Sequence, residues 1–408
     1  MKYLFLIAVF FVSCSSSQDV FSQALHTESN KAIKAYNEGM SYYDYVDYTN
    51  AEIFFKEALK SDDTFYEAFM MLGELYAKEK RFAEAASNYQ SAVKIDSTSY
   101  KPVFFSLANA EMMSDDYQNA LTHYKIYLKN KGDSEKNRRL AARNIKNCEF
   151  AIVAIKNPVS FNPVSVGAAI NTSDDEYWPS ITVDGQTLMF TRQVLNGYNQ
   201  FGMSNSQEDF YISSHSDSGW TKAINAGEPL NTKSNEGAQT LSSNGNYMYF
   251  TACERSGGLG SCDIYFSAYA NGHWSIPYNL GSPVNTKSWE STPSISSDGN
   301  FLIFSSNRPG GFGGKDLWFS IMSKKGKWSE PVNMGKNINT DGDEMSPFIH
   351  FDGRTLYFAS DGRPGMGGFD IYLSRMSNDS SWSEPKNLGY PINTANDEMG
   401  LVLSLIHI

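Results

Sequence analysis

Residues 307–320 read NRPGGFGGKDLWFS. Gly310, Gly311, Gly313 and Gly314, with Lys315 and an apolar run behind them, are the residue types of a loop that cradles phosphate on backbone N–H groups. The same types could wrap a calcium ion. A second set could do electrostatic work. Glu176, Glu236, Glu290, Glu344 and Glu398 share one repeated position, and a ring of carboxylates could hold a cation. Histidines 26, 123, 215, 273, 350 and 407 and cysteines 14, 148, 253 and 262 complete the stock of ligands and nucleophiles.

Spacing argues against most of that chemistry. The glycine loop has copies, ERSGGLGSCDIYFS and DGRPGMGGFDIYLS, with a looser version before Asp209. A nucleotide cradle is needed once and opens a helix, whereas these loops recur and lead into strand-like runs. Calcium-binding nonapeptides return every nine residues, and these loops return about every 54. The glycines therefore read as architecture, giving positive φ and close backbone approach. Asp209, Asp263, Asp316 and Asp370 each open a strand and are expected to accept hydrogen bonds from loop amides. By the same logic the repeated glutamates are read as acceptors of backbone hydrogen bonds rather than a cation site.

The histidines share no repeat position and no metal-ligand spacing. There is no G-x-S-x-G elbow. SSDG resembles the Asp box of sialidases, without that box's spacing or trailing Trp. A catalytic carboxylate should be unique, and the acids that stand out recur. No catalytic, cofactor-binding or metal-binding residue is assigned, and the expectation is a protein that is not an enzyme.

The repeats define the elements. Asn-Thr pairs at 171, 231, 285, 339 and 393 are spaced by 60 and then by 54, and Trp220, Trp274, Trp328 and Trp382 keep the 54 step. Each unit holds four strand signals. The first two join through DG or NG, which suits a tight hairpin. The second (LMF, YMYF, FLIF or LYF) is apolar throughout, so both of its faces should be buried. The third starts at the Asp, and the fourth carries the Trp. Tandem four-stranded units make a β-propeller. FNPVSVGAAINT matches WSEPKNLGYPINT at Pro163, Gly167, Ile170 and Asn171, which places a fourth strand ahead of the first full unit. NTANDEMGLVLS starts a fifth unit and reaches only its first strand. The expectation is a five-bladed ring over 159–408 with its last blade incomplete, the chain being a fragment.

Closer to the N-terminus the period changes. Gly39, Tyr42, Ala51, Phe55 and Ala58 return 34 residues later as Gly73, Tyr76, Ala85, Tyr89 and Ala92, and a third copy has Ala108, Ala120 and Tyr124. These copies, over 31–130, resemble tetratricopeptide (TPR) repeats. The resemblance implies an α-solenoid that binds partners on the face of the first helix of each pair. Carried over by position, that groove is Tyr36, Met40, Tyr43, Met70, Glu74, Lys78, Phe105, Asn109 and Met112, suited to a peptide or helix with apolar anchors. Residues 134–157 read as one long helix capping the repeats, with Lys136, Arg138, Arg139 and Arg143 on its solvated face. The fold class is thus α + β multidomain, a TPR solenoid followed by a propeller.

Lys2 and the apolar run from Tyr3 to Val12 form an export signal too short to span a bilayer. The signal (1–13) ends at Cys14, whose thiol is expected to carry a lipid, followed by a polar tether (14–30). Export to an oxidising compartment makes a Cys253–Cys262 disulfide the expectation, with Cys148 a buried apolar residue. The formal net charge of −11 argues against nucleic acid.

The order of parts, with SSDGNFLIFSSNRPGGFGGKDLWFS and WSEPVNMGKNINT, resembles the PD40 (WD40-like) propellers of Bacteroidota outer-membrane lipoproteins, PorE-like members of the OmpA family above all. That resemblance implies a lipid-anchored scaffold on the periplasmic face of the outer membrane, binding envelope or type IX secretion proteins without a cofactor. Peptidoglycan contact would need the family's OmpA-like domain, absent from these residues. A carbohydrate- or peptide-binding lipoprotein of nutrient uptake and a propeller hydrolase are the alternatives.

Overall fold

The computed structural model describes residues 25–98, 101–130, 134–198, 204–217 and 219–403. The export signal, Cys14 and His407 lie outside the described residues.

Seven helices come first: α1 (Asn30–Asp44), α2 (Tyr48–Ser61), α3 (Tyr66–Lys78), α4 (Phe82–Ile95), α5 (Val103–Met113), α6 (Tyr117–Lys129) and α7 (Glu135–Lys156). Side chains set the starts of α1 and α2, where Ser29 accepts from the Ala32 amide and Asp47 from the Asn50 amide. Each of the first three pairs turns through a left-handed residue at one repeat position: Val46, Lys80 and Asp115. None is glycine, so the turns carry a modest strain that the paired helices must over-determine. The glycine is used elsewhere. A Cβ on Gly39 would lie 2.7 Å from the Phe55 ring, so the α1–α2 contact excludes any side chain there.

The chain forms two compact units. One is built on α1–α5 and most of α6, the other on the first turn of α6, α7 and all the strands. The sequence assigned α7 to the repeats as their cap, but its hydrogen bonds reach into the strand unit. Arg143 pairs with Asp361 at 2.9 Å, and Asn147 binds the Gly367 carbonyl and the Gly365 amide. The basic cluster is therefore not one solvated face.

The second unit contains four propeller-like antiparallel sheets. Their first three strands are Asp175–Ile181, Thr187–Tyr198 and Ser204–Ser216; Asn235–Leu241, Tyr247–Cys253 and Cys262–Ala270; Glu290–Ile295, Phe301–Ser306 and Asp316–Ile321; and Glu344–Ile349, Thr355–Ser360 and Asp370–Arg375. Two-residue outer strands complete them at Ile224–Asn225, Tyr278–Asn279, Val332–Asn333 and Lys386–Asn387. Those strands begin four residues after each Trp, so the Trp precedes the outer strand instead of lying in it. Second strands are buried nearly end to end, as their unbroken apolar runs require.

Four sheets form, not five. Neither 159–171 nor 393–403 is strand. Both segments keep the repeat's turn, with the Asn171 and Asn393 amides donating to the Gly167 and Gly389 carbonyls. A further departure concerns Asp209, which lies inside its strand, because the third strand of the first blade starts at Ser204.

Every first strand carries a bulge whose left-handed residue is Trp178, Ala238, Thr292 or Ser346. Proline follows in three of the four, which a bulge tolerates because it removes that N–H from the ladder. These strands surround a narrow central channel of about 70 Å³, across which the Trp178 Nε1 donates to the Ser346 hydroxyl.

Candidate functional site

The inner helices of the repeats place the nine groove positions unevenly. Tyr36, Met70 and Met112 are buried between helices, where Tyr36 packs on Phe55 and Phe65. Met40, Tyr43, Phe105 and Asn109 are half-buried, and Glu74 and Lys78 are exposed. Glu74 organises this surface. It accepts from the Tyr89 hydroxyl at 3.3 Å and lies 3.6 Å from Lys78. Burial, reinforced by Glu74, pushes the Tyr43 and Tyr89 hydroxyls far above the ordinary tyrosine range, so both stay protonated donors. Asn109 accepts from Tyr124, and Phe105 packs edge-on to that ring. Six positions thus form a half-exposed patch of apolar anchors beside one charge pair, and three serve packing alone.

In the propeller the repeated residues resolve into one machine. Thr232, Thr286, Thr340 and Thr394 each donate both backbone N–H and hydroxyl to the glutamate four residues on, as Thr172 does to Glu176. Arginines then approach the carboxylates, Arg192 from within its second strand to Glu176, and Arg255 and Arg308 from just beyond theirs to Glu236 and Glu290. Arg363 reaches the Asn337 and Ile338 carbonyls and attracts Glu344 at longer range. Burial still raises Glu236, Glu344 and Glu398 above the usual carboxyl range. Among the described residues, no cluster of three or more His, Cys, Asp or Glu side chains could hold a metal ion.

The asparagines join blades. Asn231, Asn285, Asn339 and Asn393 each accept from and donate to one residue of the preceding blade's third strand: Phe210, Ile264, Leu317 and Ile371. Asn171 is exposed, and among the described residues its side chain bonds only the Ser165 hydroxyl.

The glycine loops are held from both sides. Asp316 accepts from the Phe312 and Gly313 amides, Asp263 from Leu259 and Gly260, and Asp370 from Met366 and Gly367. Asp209, inside its strand, accepts from the Asn225 and Gln207 side chains instead. A Cβ on Gly313 would meet the Gly342 carbonyl oxygen at 2.0 Å, so the loop needs glycine to lie against the next blade's turn. Cys253 and Cys262 pair in a disulfide across the glycine loop of blade two, and Cys148 is buried. Trp220, Trp274 and Trp328 are half-buried and Trp382 is buried.

Sequence reasoning missed the arginines. Their signal was present in three loops as an Arg two residues before a glycine, but in the first blade the Arg sits within a longer strand and breaks the register.

No protein-family model matches the sequence, and no curated protein matches it. Solved structures resemble parts of the fold. The first TPR domain of Spaghetti (RPAP3), bound to an HSP90 peptide, is 18% identical and covers 32% of this chain and 99% of its own, with a TM-score of 0.28. The TPR2B domain of yeast Sti1, in a pHsp70 complex, is 24% identical over 30% of this chain and 96% of its own (TM-score 0.25). An α-L-arabinofuranosidase from Lactobacillus brevis is 13% identical and covers 55% of this chain and 77% of its own (TM-score 0.35).

Proposed function

We propose that this protein is a non-enzymatic scaffold that binds protein partners through the inner face of its helical repeats. The supporting observation is the patch of Met40, Tyr43, Phe105 and Asn109 beside Glu74 and Lys78. Flexible and aromatic anchors next to a charge pair suit an amphipathic segment with apolar side chains and a polar edge. On the resemblance of its sequence to PorE-like lipoproteins, the scaffold sits on the periplasmic face of the outer membrane, held by a lipid on Cys14, in an envelope complex such as the type IX secretion apparatus. No residue here is given a peptidoglycan contact, which would belong to an OmpA-like domain.

Site-specific photo-crosslinking in the full chain tests both halves of the reading. A reactive side chain at Lys78 should capture a defined set of envelope proteins, and one at Ile53, exposed on α2, should not. Equal capture at both positions contradicts the groove. Cys14→Ser should move the chain from the membrane to the soluble fraction, and a variant that stays in the membrane contradicts the anchor.

A further inference from the structure

In a repeat protein, a residue present in every blade serves the blade, and one present in a single blade is free to serve a ligand. Blade two alone sets three aromatics side by side on these strands, two of them tyrosines that no other blade has in those places. Tyr247 begins the second strand, where the other blades have Thr187, Phe301 and Thr355. Phe266 stands where they have Ile212, Phe319 and Leu373, and Tyr278 where they have Ile224, Val332 and Lys386. The three rings adjoin. Tyr247 stacks on Phe266 with centroids 5.6 Å apart, and Phe266 lies 5.1 Å from Tyr278.

Burial does not account for this cluster, since Tyr247 is 47% and Tyr278 56% exposed. The rings instead form one wall of a cleft of about 710 Å³ between blades two and three, closed on the other side by Trp328 and Lys327. That volume is ordinary for a small-molecule site. Tyr249 also lines the cleft. It is 5% exposed, and among the described residues its hydroxyl has no hydrogen-bond partner, nor do those of Tyr247 and Tyr278. Although the ring is buried, the hydroxyl reaches the open space of the cleft, where solvent or a ligand can meet it. The corresponding cleft between blades three and four has Phe301 and Phe319, with no tyrosine in its walls.

From these walls we infer that the cleft between blades two and three binds an oligosaccharide of β-linked, gluco-configured pyranose units. With its hydroxyls equatorial, such a ring presents a face of axial C–H groups that lies flat on Tyr247, Phe266 and Tyr278. Its hydroxyls both donate and accept, as tyrosine hydroxyls do, so each can pair with the open groups of Tyr247, Tyr249 and Tyr278. A proline-rich peptide would use the rings equally well, but its carbonyls only accept, leaving the lone pairs of the tyrosine hydroxyls unmatched. The site is separate from the helical repeats and does not depend on their role.

Isothermal titration of the full chain with cellotetraose and, separately, chitotetraose tests the inference. Saturable binding of at least one sugar is expected. Tyr247→Thr and Tyr278→Val install residues that other blades already carry, so the fold should survive. Together they should weaken binding by about tenfold or more. The single exposed change Tyr278→Val should also weaken it, and it disturbs no buried contact. No saturable binding of either sugar at millimolar concentration overturns the inference. So does undiminished binding by both variants, or binding of a proline-rich decapeptide in place of the sugars.

Discussion

Asn285 holds both backbone groups of Ile264, accepting from its N–H at 2.9 Å and donating to its carbonyl at 2.8 Å, across the joint between blades two and three. One side chain thereby satisfies the buried Ile264 N–H and shares the Ile264 carbonyl with the Leu280 amide. Asn285→Ala should cost the propeller about 2 kcal/mol, because the buried Ile264 N–H is left without a partner. Amide exchange should accelerate at Ile264 in particular. Asn171, exposed and with its side chain bonded only to Ser165 among the described residues, should tolerate the same change within about 0.5 kcal/mol.

Gly73 and Tyr89 set the spacing of α3 and α4. A Cβ at Gly73 would fall 2.7 Å from the Tyr89 ring, which is buried and tied by its hydroxyl to Glu74. Gly73→Ala gains helix propensity of about 1 kcal/mol but must push that ring aside. The net expectation is a loss of about 1–2 kcal/mol in urea unfolding followed by circular dichroism. Tyr89→Leu in the same chain should recover part of the loss.

Arg308 lies 4.9 Å from the centre of the Phe304 ring and 3.2 Å from Glu290, whose side chain is fully buried. Arg308→Met would leave that carboxylate without its counter-charge, at an expected cost of about 3–5 kcal/mol. Glu290→Gln combined with Arg308→Met should cost less than the sum of the single changes. Additive losses in thermal or urea unfolding would mean that the two groups are not coupled.

Asp370 gives the propeller a pH dependence. Burial pushes its carboxyl up to about 7, from 3.8 in the unfolded chain. Between those pH values the folded chain keeps the proton that the unfolded chain releases, so stability falls as pH rises through the window. From pH 5 to 7 this one group should remove at most about 3 kcal/mol. Asp263, Glu236, Glu344 and Glu398 shift in the same direction. Asp370→Asn should therefore flatten part of the slope in melting curves taken across that range, and an unchanged slope would refute the assignment.

The sequence by itself determined the two architectures. Small and aromatic residues return every 34 positions, and paired helices can approach only where Gly39 and Gly73 leave room. The 54-residue step of Asn-Thr, Asp and Trp marked out four full blades, because a strand that is apolar throughout must be covered on both faces, but the fifth blade it pointed to does not form among the described residues. Repetition also showed the glycine loops to be structural. Only the tertiary structure decided what the repeated polar residues bind. Asn285 reaches a strand more than twenty residues behind it, and Arg308 reaches a glutamate from beyond the intervening strand. Such pairings depend on how neighbouring strands are brought together, which local propensity does not encode. The same holds for α7, whose basic residues look solvated in a helical pattern until Arg143 meets Asp361, more than two hundred residues away. It holds also for the cleft of blade two, where Tyr247, Phe266 and Tyr278 are ordinary strand residues until antiparallel pairing sets them side by side.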